Sequence, residues 1–185
     1  MTSHPKLDKI SFRMGDYMKF KQKSLLFARI LLSFLTLLLV AFIFSNSMQN
    51  AEVSGASSGR IMAFLNNLMS ILGIDFVFTQ VIVRTLAHFC EFGLLGVLSM
   101  LTMLSFFLVK AKSILLSMLC FSLVALIDEC IQLFSEGRAF EVSDLVIDIT
   151  GGLLGAVCVF LFAVLINNRK IMVSERLSNG ECNEE

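Results

Sequence analysis

The sequence contains few of the residues that interrupt or solvate a folded chain. Its only proline is Pro5, charged residues make up 16% of its 185 positions, and neither an internal repeat nor a low-complexity segment is present. Hydrophobic residues make up 56%, which is more apolar surface than a soluble domain of this size can bury. The composition therefore excludes an ordinary soluble domain and indicates a membrane protein.

Signatures of several metal-binding and catalytic classes are missing as well. No two of the five cysteines form a CxxC pair, and four of them lie in apolar stretches, which favours buried apolar thiols over a disulfide framework or a metal site. The sequence has neither an HExxH motif nor a phosphate-cradling glycine loop. The HxxE pattern of His88 and Glu91 is too common to identify a zinc site. These absences leave the reaction class open.

Four apolar stretches are long enough to cross a membrane as helices, since about 20 residues span the hydrocarbon core. They cover residues 24–44, 85–109, 113–134 and 144–166. A signal peptide is the competing interpretation of the first stretch, but its apolar core is too long and no convincing cleavage site follows. Backbone groups in a bilayer must be satisfied within their own segment, so the expected fold class is an all-α protein with four transmembrane helices.

Lysine and arginine are distributed unevenly around these spans. Eleven lie before the first span, between the second and third, or after the fourth, whereas only Arg60, Arg84 and Arg138 lie on the other side. The positive-inside rule then places both termini in the cytoplasm. The expected organisation is a basic cytoplasmic segment at 1–23, a membrane domain at 24–166 and a polar cytoplasmic tail at 167–185.

The segment 45–83, which this orientation places outside the cell, is long for a loop. Apolar residues recur in it at helical spacing, at Ile61, Phe64, Leu65, Leu68 and Leu72. This pattern predicts an external amphipathic helix lying in the outer interface. Ser57 or Ser58 is the expected N-cap.

Polar residues gather at the span ends that face outside. The first span ends near Ser45 and Ser47, the second begins with Arg84, His88 and Glu91, the third ends with Asp128, Glu129 and Gln132, and the fourth begins with Asp144 and Asp148. A carboxylate inside a span costs about 2.5–3.5 kcal/mol on insertion scales, so this group of side chains indicates a polar pocket that opens outward. The small-residue run TGGLLGA in the fourth span predicts close packing against a neighbouring helix.

Simpler roles remain open for several of these residues. Acidic side chains near a helix end can reach the interface at little cost, and Asp144 can stabilise the start of the fourth helix, with Ser143 as its N-cap. Arg84 and Glu141 can be interfacial charges, and His88 can be a hydrogen-bonded packing residue.

Three segments of the sequence, taken together, are similar to a known family. They are FSNSMQNAEVSGASSGR from Phe44, RTLAHFCEFGLLG from Arg84, and LIDECIQLFSEGRAFEVSDLVIDITGGLLG from Leu126. With the four-span layout they resemble the VanZ-like family of small bacterial membrane proteins. The third segment carries that family's acidic, glutamine, Gly-Arg and glycine positions in full, whereas the first lacks a frequent glutamine and Phe92 replaces a frequent tyrosine.

The resemblance implies a role at the outer leaflet of the bacterial cytoplasmic membrane. The family is named for proteins that resemble an accessory factor raising tolerance to teicoplanin, a lipid-tailed glycopeptide antibiotic. It does not supply a reaction. The expected partners are membrane lipid and either a lipid-linked cell-wall precursor or a lipoglycopeptide, and no nucleic acid is expected.

An enzyme acting on an envelope lipid or cell-wall precursor, a membrane hydrolase or transferase, is the first functional hypothesis. His88 would shuttle protons with Glu91 as its orienting partner, and Arg138 would clamp an anion. The candidate catalytic residues are His88, Glu91, Asp128, Glu129 and Asp148, and the candidate substrate-binding residues are Ser45, Ser47, Arg84, Gln132, Arg138 and Asp144. The acids Asp128, Glu129, Asp144 and Asp148 can alternatively gather a divalent cation.

Two further functional hypotheses involve no catalysis. The cluster can bind a headgroup, a lipidated antibiotic or a partner protein, with the excess of acid favouring cationic groups. It can also be wholly structural, because ion pairs across helices can specify packing alone.

Overall fold

The computed structural model describes the backbone of residues 5–107 and 110–178 and the side chains of residues 20–107, 111–169 and 171–172. Within these ranges the chain forms five helices and no strand. They are α1 (Pro5–Ser47), α2 (Ala51–Ile71), α3 (Gln80–Phe106), α4 (Lys110–Gln132) and α5 (Val142–Ser178). The predicted all-α fold class is therefore confirmed.

Four of the helices contain stretches that are long and apolar enough to cross a membrane. These stretches are Phe20–Ser47, Gln80–Phe106, Ala111–Gln132 and Val142–Arg169. Each matches one predicted span, with ends that differ by a few residues. The helical structure of α5 continues beyond its apolar stretch into the polar tail. The cytoplasmic location of both termini remains a prediction.

Contacts between side chains define how the spans run. The hydroxyls of Thr36 on α1 and Thr102 on α3 lie 3.1 Å apart, and those of Ser99 on α3 and Ser117 on α4 lie 2.8 Å apart. Arg29 donates from Nε to the carbonyl oxygen of Ser105 at 2.8 Å. Ser113 on α4 also donates to the Met103 carbonyl of α3 at 3.3 Å. Both α1 and α4 therefore run antiparallel to α3, and small polar residues join the helices inside the bundle.

The closest approach in the bundle is between α3 and α5. A Cβ atom added at Gly96 would clash with the carbonyl oxygen of Gly152, and one added at Gly155 would clash with that of Gly93. Only glycine permits this separation, so the predicted close packing of the TGGLLGA run is confirmed and its partner is the FGLLG run of α3. The crossing lies one to two turns from His88 and Asp148 and sets how those two side chains meet.

The core and the outer surface of the bundle are both apolar. Phe92, Leu95, Met100 and Phe121 are fully buried between helices, whereas large side chains such as Phe34, Leu37 and Phe162 are exposed on the outside. An apolar exterior is expected for helices whose surroundings are lipid.

The helix starts differ from the predicted ones. Asn50 caps α2, because its side chain accepts a 2.9 Å hydrogen bond from the N–H of Val53, whereas Ser58 lies inside the helix and donates to the carbonyl of Ser54. The prediction of Ser57 or Ser58 as N-cap is therefore wrong. In α5 the Glu141 carbonyl accepts the first N–H bonds, so Ser143 is not the cap either.

Helix α2, which was predicted to be external, is longer than the sequence pattern indicates, because its N-cap lies before the apolar pattern begins. Ile61, Phe64, Leu68 and Leu72 are exposed in the isolated chain, and α2 has no buried residue. Its position in the outer interface remains a prediction.

The cysteines also differ from expectation. Of the four described, Cys90, Cys130 and Cys158 are exposed on the bundle surface and Cys120 is partly buried. Cys90, Cys130 and Cys158 are therefore surface thiols rather than buried packing residues. Cys182 lies outside the described residues.

Candidate functional site

Polar side chains meet at one end of the bundle, where α1 and α4 end and α3 and α5 begin. Ser47, Asp128, Gln132 and Asp148 are buried there, the last three completely. The side chain of His88 is 12% exposed. Because antiparallel helices bring these ends together, residues up to 101 positions apart in sequence share one site.

Three of the predicted catalytic residues form a compact group. One potential metal-ligand atom from each of His88, Asp128 and Asp148 lies within 4.8 Å of the other two. His88 Nδ1 is 3.3 Å from Asp148 Oδ1. We call these residues the buried trio.

Asp128 is held from two sides. Its Oδ1 accepts a hydrogen bond of 2.5 Å from the Ser47 hydroxyl, and its Oδ2 accepts one of 3.1 Å from Gln132 Nε2. The other end of the Gln132 amide accepts from Arg84 at 3.3 Å. This chain fixes the Asp128 carboxylate and leaves each of its oxygens a further lone pair.

Asp148 is held differently. Although it is fully buried, neither of its carboxylate oxygens has a hydrogen-bond partner among the described residues, and the same holds for His88 Nδ1. His88 Nδ1 lies 3.3 Å from Asp148 Oδ1, and this contact becomes an ion pair when the imidazole is protonated. Buried polar atoms without partners are uncommon and point to strain, a catalytic role or a missing water or ion.

Two arginines lie beside the trio. Arg84 contacts Asp144 Oδ2 at 3.3 Å, and Arg138 donates to the Ser47 carbonyl at 3.4 Å and to the Ser54 hydroxyl at 3.1 Å. The Nε groups of both arginines are buried and have no partner among the described side chains and backbone. Burial and the neighbouring Arg84 lower the pKa of Arg138. Each guanidinium therefore retains hydrogen-bonding capacity for a further acceptor.

The position of Arg138 depends on the turn before it. Gly137 has φ of +76°, a left-handed conformation that side chains disfavour. The same loop is tied to the start of α2 by a hydrogen bond from the Ala51 N–H to the Glu136 carbonyl, and Ser135 donates to the Ser47 carbonyl at 2.7 Å. These contacts hold Arg138 against α1 and α2.

Two adjacent clefts open beside these residues. The arginine cleft, of about 220 Å³, is lined by Arg84, Arg138, Ser54, Ser58 and Gln80 together with small and apolar residues, and no acidic residue is among its described lining. The histidine cleft, of about 180 Å³, shares the two arginines and the two serines and adds Asn46, Ser47, His88 and Glu91. A ligand held in the first cleft would lie next to titratable groups in the second.

The remaining predicted site residues have separate positions. Glu91 accepts a 3.2 Å hydrogen bond from Asn46 and lines the histidine cleft. Glu129 turns away, since its Oε2 accepts from the N–H of Glu141 at 2.9 Å. Ser45 is exposed on α1 and lines neither cleft.

Several cleft residues escaped the sequence analysis. Asn46, Ser54 and Ser58 line the clefts. For the two serines, their spacing of four residues, about one helical turn, was a signal from which a shared face could have been predicted. The segment GASSG, residues 55–59, also matches the G-x-S-x-G pattern. It lies inside α2 rather than at a strand-to-helix turn, so it does not form a nucleophile elbow.

The geometry defines a class of protein: a four-span helical bundle with a charged, partly buried site at one end of the spans. The family model described as VanZ/LLP1 matches residues 32–163. The chain belongs to the VanZ/LLP1 family and is a multi-pass membrane protein. Searches among curated proteins and solved structures give no match.

Proposed function

We propose that this protein binds the phosphate-bearing headgroup of an envelope lipid in the arginine cleft, at the outer leaflet, and thereby contributes to tolerance of teicoplanin-type antibiotics. One observation carries the proposal: Arg84 and Arg138 line the same cleft, and each has a buried Nε without a partner among the described residues. Arginine is the residue that best matches the planar, multidentate recognition of phosphate.

The surroundings of the cleft suit an amphiphile. Ser54 and Ser58 add hydroxyls to the lining, and Val81 and Ala51 make part of it apolar. The adjacent α2 exposes Ile61 to one side. A lipid can keep its chains in the bilayer while its headgroup enters between the arginines.

Binding to the purified protein tests the proposal. The probe is dioctanoyl phosphatidic acid, compared with dioctanoylglycerol, which lacks the phosphate, in a neutral detergent with native mass spectrometry as the readout. We expect the phosphate-bearing lipid to bind and the neutral lipid not to bind. Loss of a charged hydrogen-bonded contact is worth about 1.5–3 kcal/mol, so Arg84→Gln and Arg138→Gln should weaken binding roughly tenfold to hundredfold.

Arg60 supplies a matched control. It is an arginine on the same side of the spans, exposed on α2, and lines neither cleft. Arg60→Gln should bind the lipid as the unmodified protein does. Equal binding of the two lipids, or equal weakening by Arg60→Gln, would contradict the proposed headgroup site.

A tolerance assay tests the cellular role. A susceptible strain that expresses the protein should need a higher teicoplanin concentration for growth inhibition, and Arg84→Gln and Arg138→Gln should abolish the difference at equal membrane abundance. Arg60→Gln should preserve it. A fall in abundance that accounts for the lost tolerance would instead favour a purely structural cluster.

A hydrolase or transferase is the second candidate. The observation that favours it is the histidine cleft, where His88 and Glu91 lie beside the arginines that would hold the headgroup. A positioned histidine with a neighbouring carboxylate is suited to general acid–base catalysis. Release of phosphate from the bound lipid, abolished in His88→Ala, would identify an enzyme, whereas binding without turnover would leave the protein a binder.

A further inference from the structure

We infer that the buried trio of His88, Asp128 and Asp148 is a binding site for one divalent transition-metal cation, such as Zn²⁺ or Mn²⁺. This inference goes beyond the proposed headgroup binding and does not depend on it. It also differs from the cation site that the sequence suggests, which draws on four acids and no histidine.

The geometry comes close to what a cation requires. Zinc is bound tetrahedrally at about 2.0–2.2 Å from nitrogen or carboxylate oxygen, so two ligands of one ion are about 3.3–3.6 Å apart. The three potential ligand atoms lie within 4.8 Å of one another. His88 Nδ1 and Asp148 Oδ1 already lie 3.3 Å apart, and side-chain movements of about 1 Å would bring all three ligand atoms into range.

The unpartnered atoms point to a missing ligand. Asp148 is 0% exposed, and both its oxygens, together with His88 Nδ1, have no hydrogen-bond partner among the described residues. A carboxylate buried in this way is costly unless it is paired or binds a metal. The ion pair to a protonated His88 would satisfy one oxygen of Asp148 and leave the other bare.

The charge of the trio and the hydrogen bonds that orient Asp128 agree with a metal site. Two carboxylates with a neutral imidazole carry two negative charges, which a divalent cation balances. Ser47 and Gln132 each donate to Asp128, in the way that outer partners orient metal ligands. Glu129 lies next to Asp128 in sequence, and its Oε1 is also buried without a partner among the described residues. Its Oε2, however, accepts from the Glu141 N–H, and Glu129 does not belong to the group whose ligand atoms lie within 4.8 Å of one another.

The ligand types select among cations. Ca²⁺ and Mg²⁺ favour sites made of oxygen, whereas a set with one imidazole suits the first-row transition metals. Three protein ligands leave a coordination position free, as in zinc sites that bind water or substrate. Since His88 lines the histidine cleft, the trio lies beside a cleft through which an ion can reach it.

Metal binding to the full chain in detergent, without added lipid, tests the inference. The protein is stripped with EDTA, and ZnCl₂ and MnCl₂ are titrated in separately by calorimetry. We expect about one equivalent of at least one of these ions to bind and to raise the midpoint of thermal unfolding, because an ion that binds only the folded state stabilises it. Because no lipid is present, this result is independent of headgroup binding.

Variants assign the ligands. His88→Ala, Asp128→Asn and Asp148→Asn should each lower the affinity for the metal by more than the roughly tenfold to hundredfold that loss of an outer partner costs. Glu129→Gln is the matched control, a neighbouring buried carboxylate outside the trio whose amide oxygen can still accept from Glu141. It should bind the metal with unchanged affinity.

Specific results would overturn the inference. These are no saturable binding of Zn²⁺ or Mn²⁺ to the stripped protein, full-affinity binding after His88→Ala, or loss of binding in Glu129→Gln equal to that in Asp148→Asn. If an asparagine variant fails to fold, the titration of the unmodified protein and the thermal shift still decide between the outcomes.

Discussion

The hydroxyl of Ser47, the last residue of α1, donates a 2.5 Å hydrogen bond to Oδ1 of Asp128 in the last two turns of α4. The two residues are 81 positions apart in sequence, and both are buried. This bond joins the ends of two spans and orients one member of the buried trio. A carboxylate here without its donor would be left partly unsatisfied in an apolar bundle.

Removing that hydroxyl should destabilise the protein. A hydrogen bond to a charged group contributes about 1.5–3 kcal/mol, so Ser47→Ala should lower the free energy of unfolding by about that amount. Thermal unfolding in detergent measures the change. Ser45→Ala is the control: Ser45 lies two residues earlier and is exposed, and its removal should change the midpoint little. Equal midpoints for the two variants would contradict the structural role of Ser47.

The glycine crossing between α3 and α5 should tolerate no side chain. A Cβ at Gly96 would meet the backbone of Gly152, which cannot rotate aside, so Gly96→Ala should cost at least the roughly 1–3 kcal/mol of an overpacked core. Gly59→Ala is the control, because a Cβ there has nothing within 4 Å and alanine favours a helix over glycine by roughly 0.5–1 kcal/mol. Membrane abundance and thermal midpoints should fall for the first variant and hold or rise for the second.

The Arg84–Asp144 pair should contribute little to stability. The arginine side chain is 35% exposed and that of Asp144 is 14% exposed, and solvent screening limits pairs of this kind to about 0–1 kcal/mol. A double-mutant cycle with Arg84→Gln and Asp144→Asn should give a coupling energy within that range. A much larger coupling energy would mean that Arg84 stabilises the folded bundle. The loss of lipid binding in Arg84→Gln would then need a structural explanation.

Fusion reporters should confirm the orientation. Green fluorescent protein attached after Glu185 should fluoresce, because it folds in the cytoplasm, and alkaline phosphatase attached after Gly73 should be active, because it requires the outside of the cell. The reverse pair of results would show that the bundle has the opposite orientation and that both clefts lie at the inner leaflet. The proposed binding of an outer-leaflet lipid would then fail, whereas metal binding to the purified protein would be unaffected.

Much of the fold could be predicted because each span is defined locally. A stretch of about 20 apolar residues needs no partner to become a helix in a bilayer, and all four spans are present. Helix starts were harder. The predicted cap of α2 failed because Asn50 precedes the apolar pattern, and a cap is chosen by backbone geometry rather than by hydrophobic spacing.

The level of the site could be predicted, and so could the pair of Asp128 and Gln132 one turn apart on α4, but partners from different helices could not. Sequence spacing placed Asp128 and Glu129 together, yet neighbouring residues on a helix point about 100° apart. Asp128 faces Ser47 and the trio, whereas Glu129 faces the α4–α5 loop. Only the rotation of α4 in the bundle decides which of the two carboxylates enters the site.

The sequence by itself determined a four-span helical membrane protein and placed the ionisable residues within its spans, apart from Arg29, at one end, because hydrophobic length and the cost of burying charge act along the chain. The tertiary structure alone decided that His88, Asp128 and Asp148 meet while Ser45 and Glu129 do not. The physical reason is helix rotation, which cannot be derived from a segment considered alone. The glycine crossing constrains it for α3 and α5, and the contacts of Asp128 and Glu129 show it for α4.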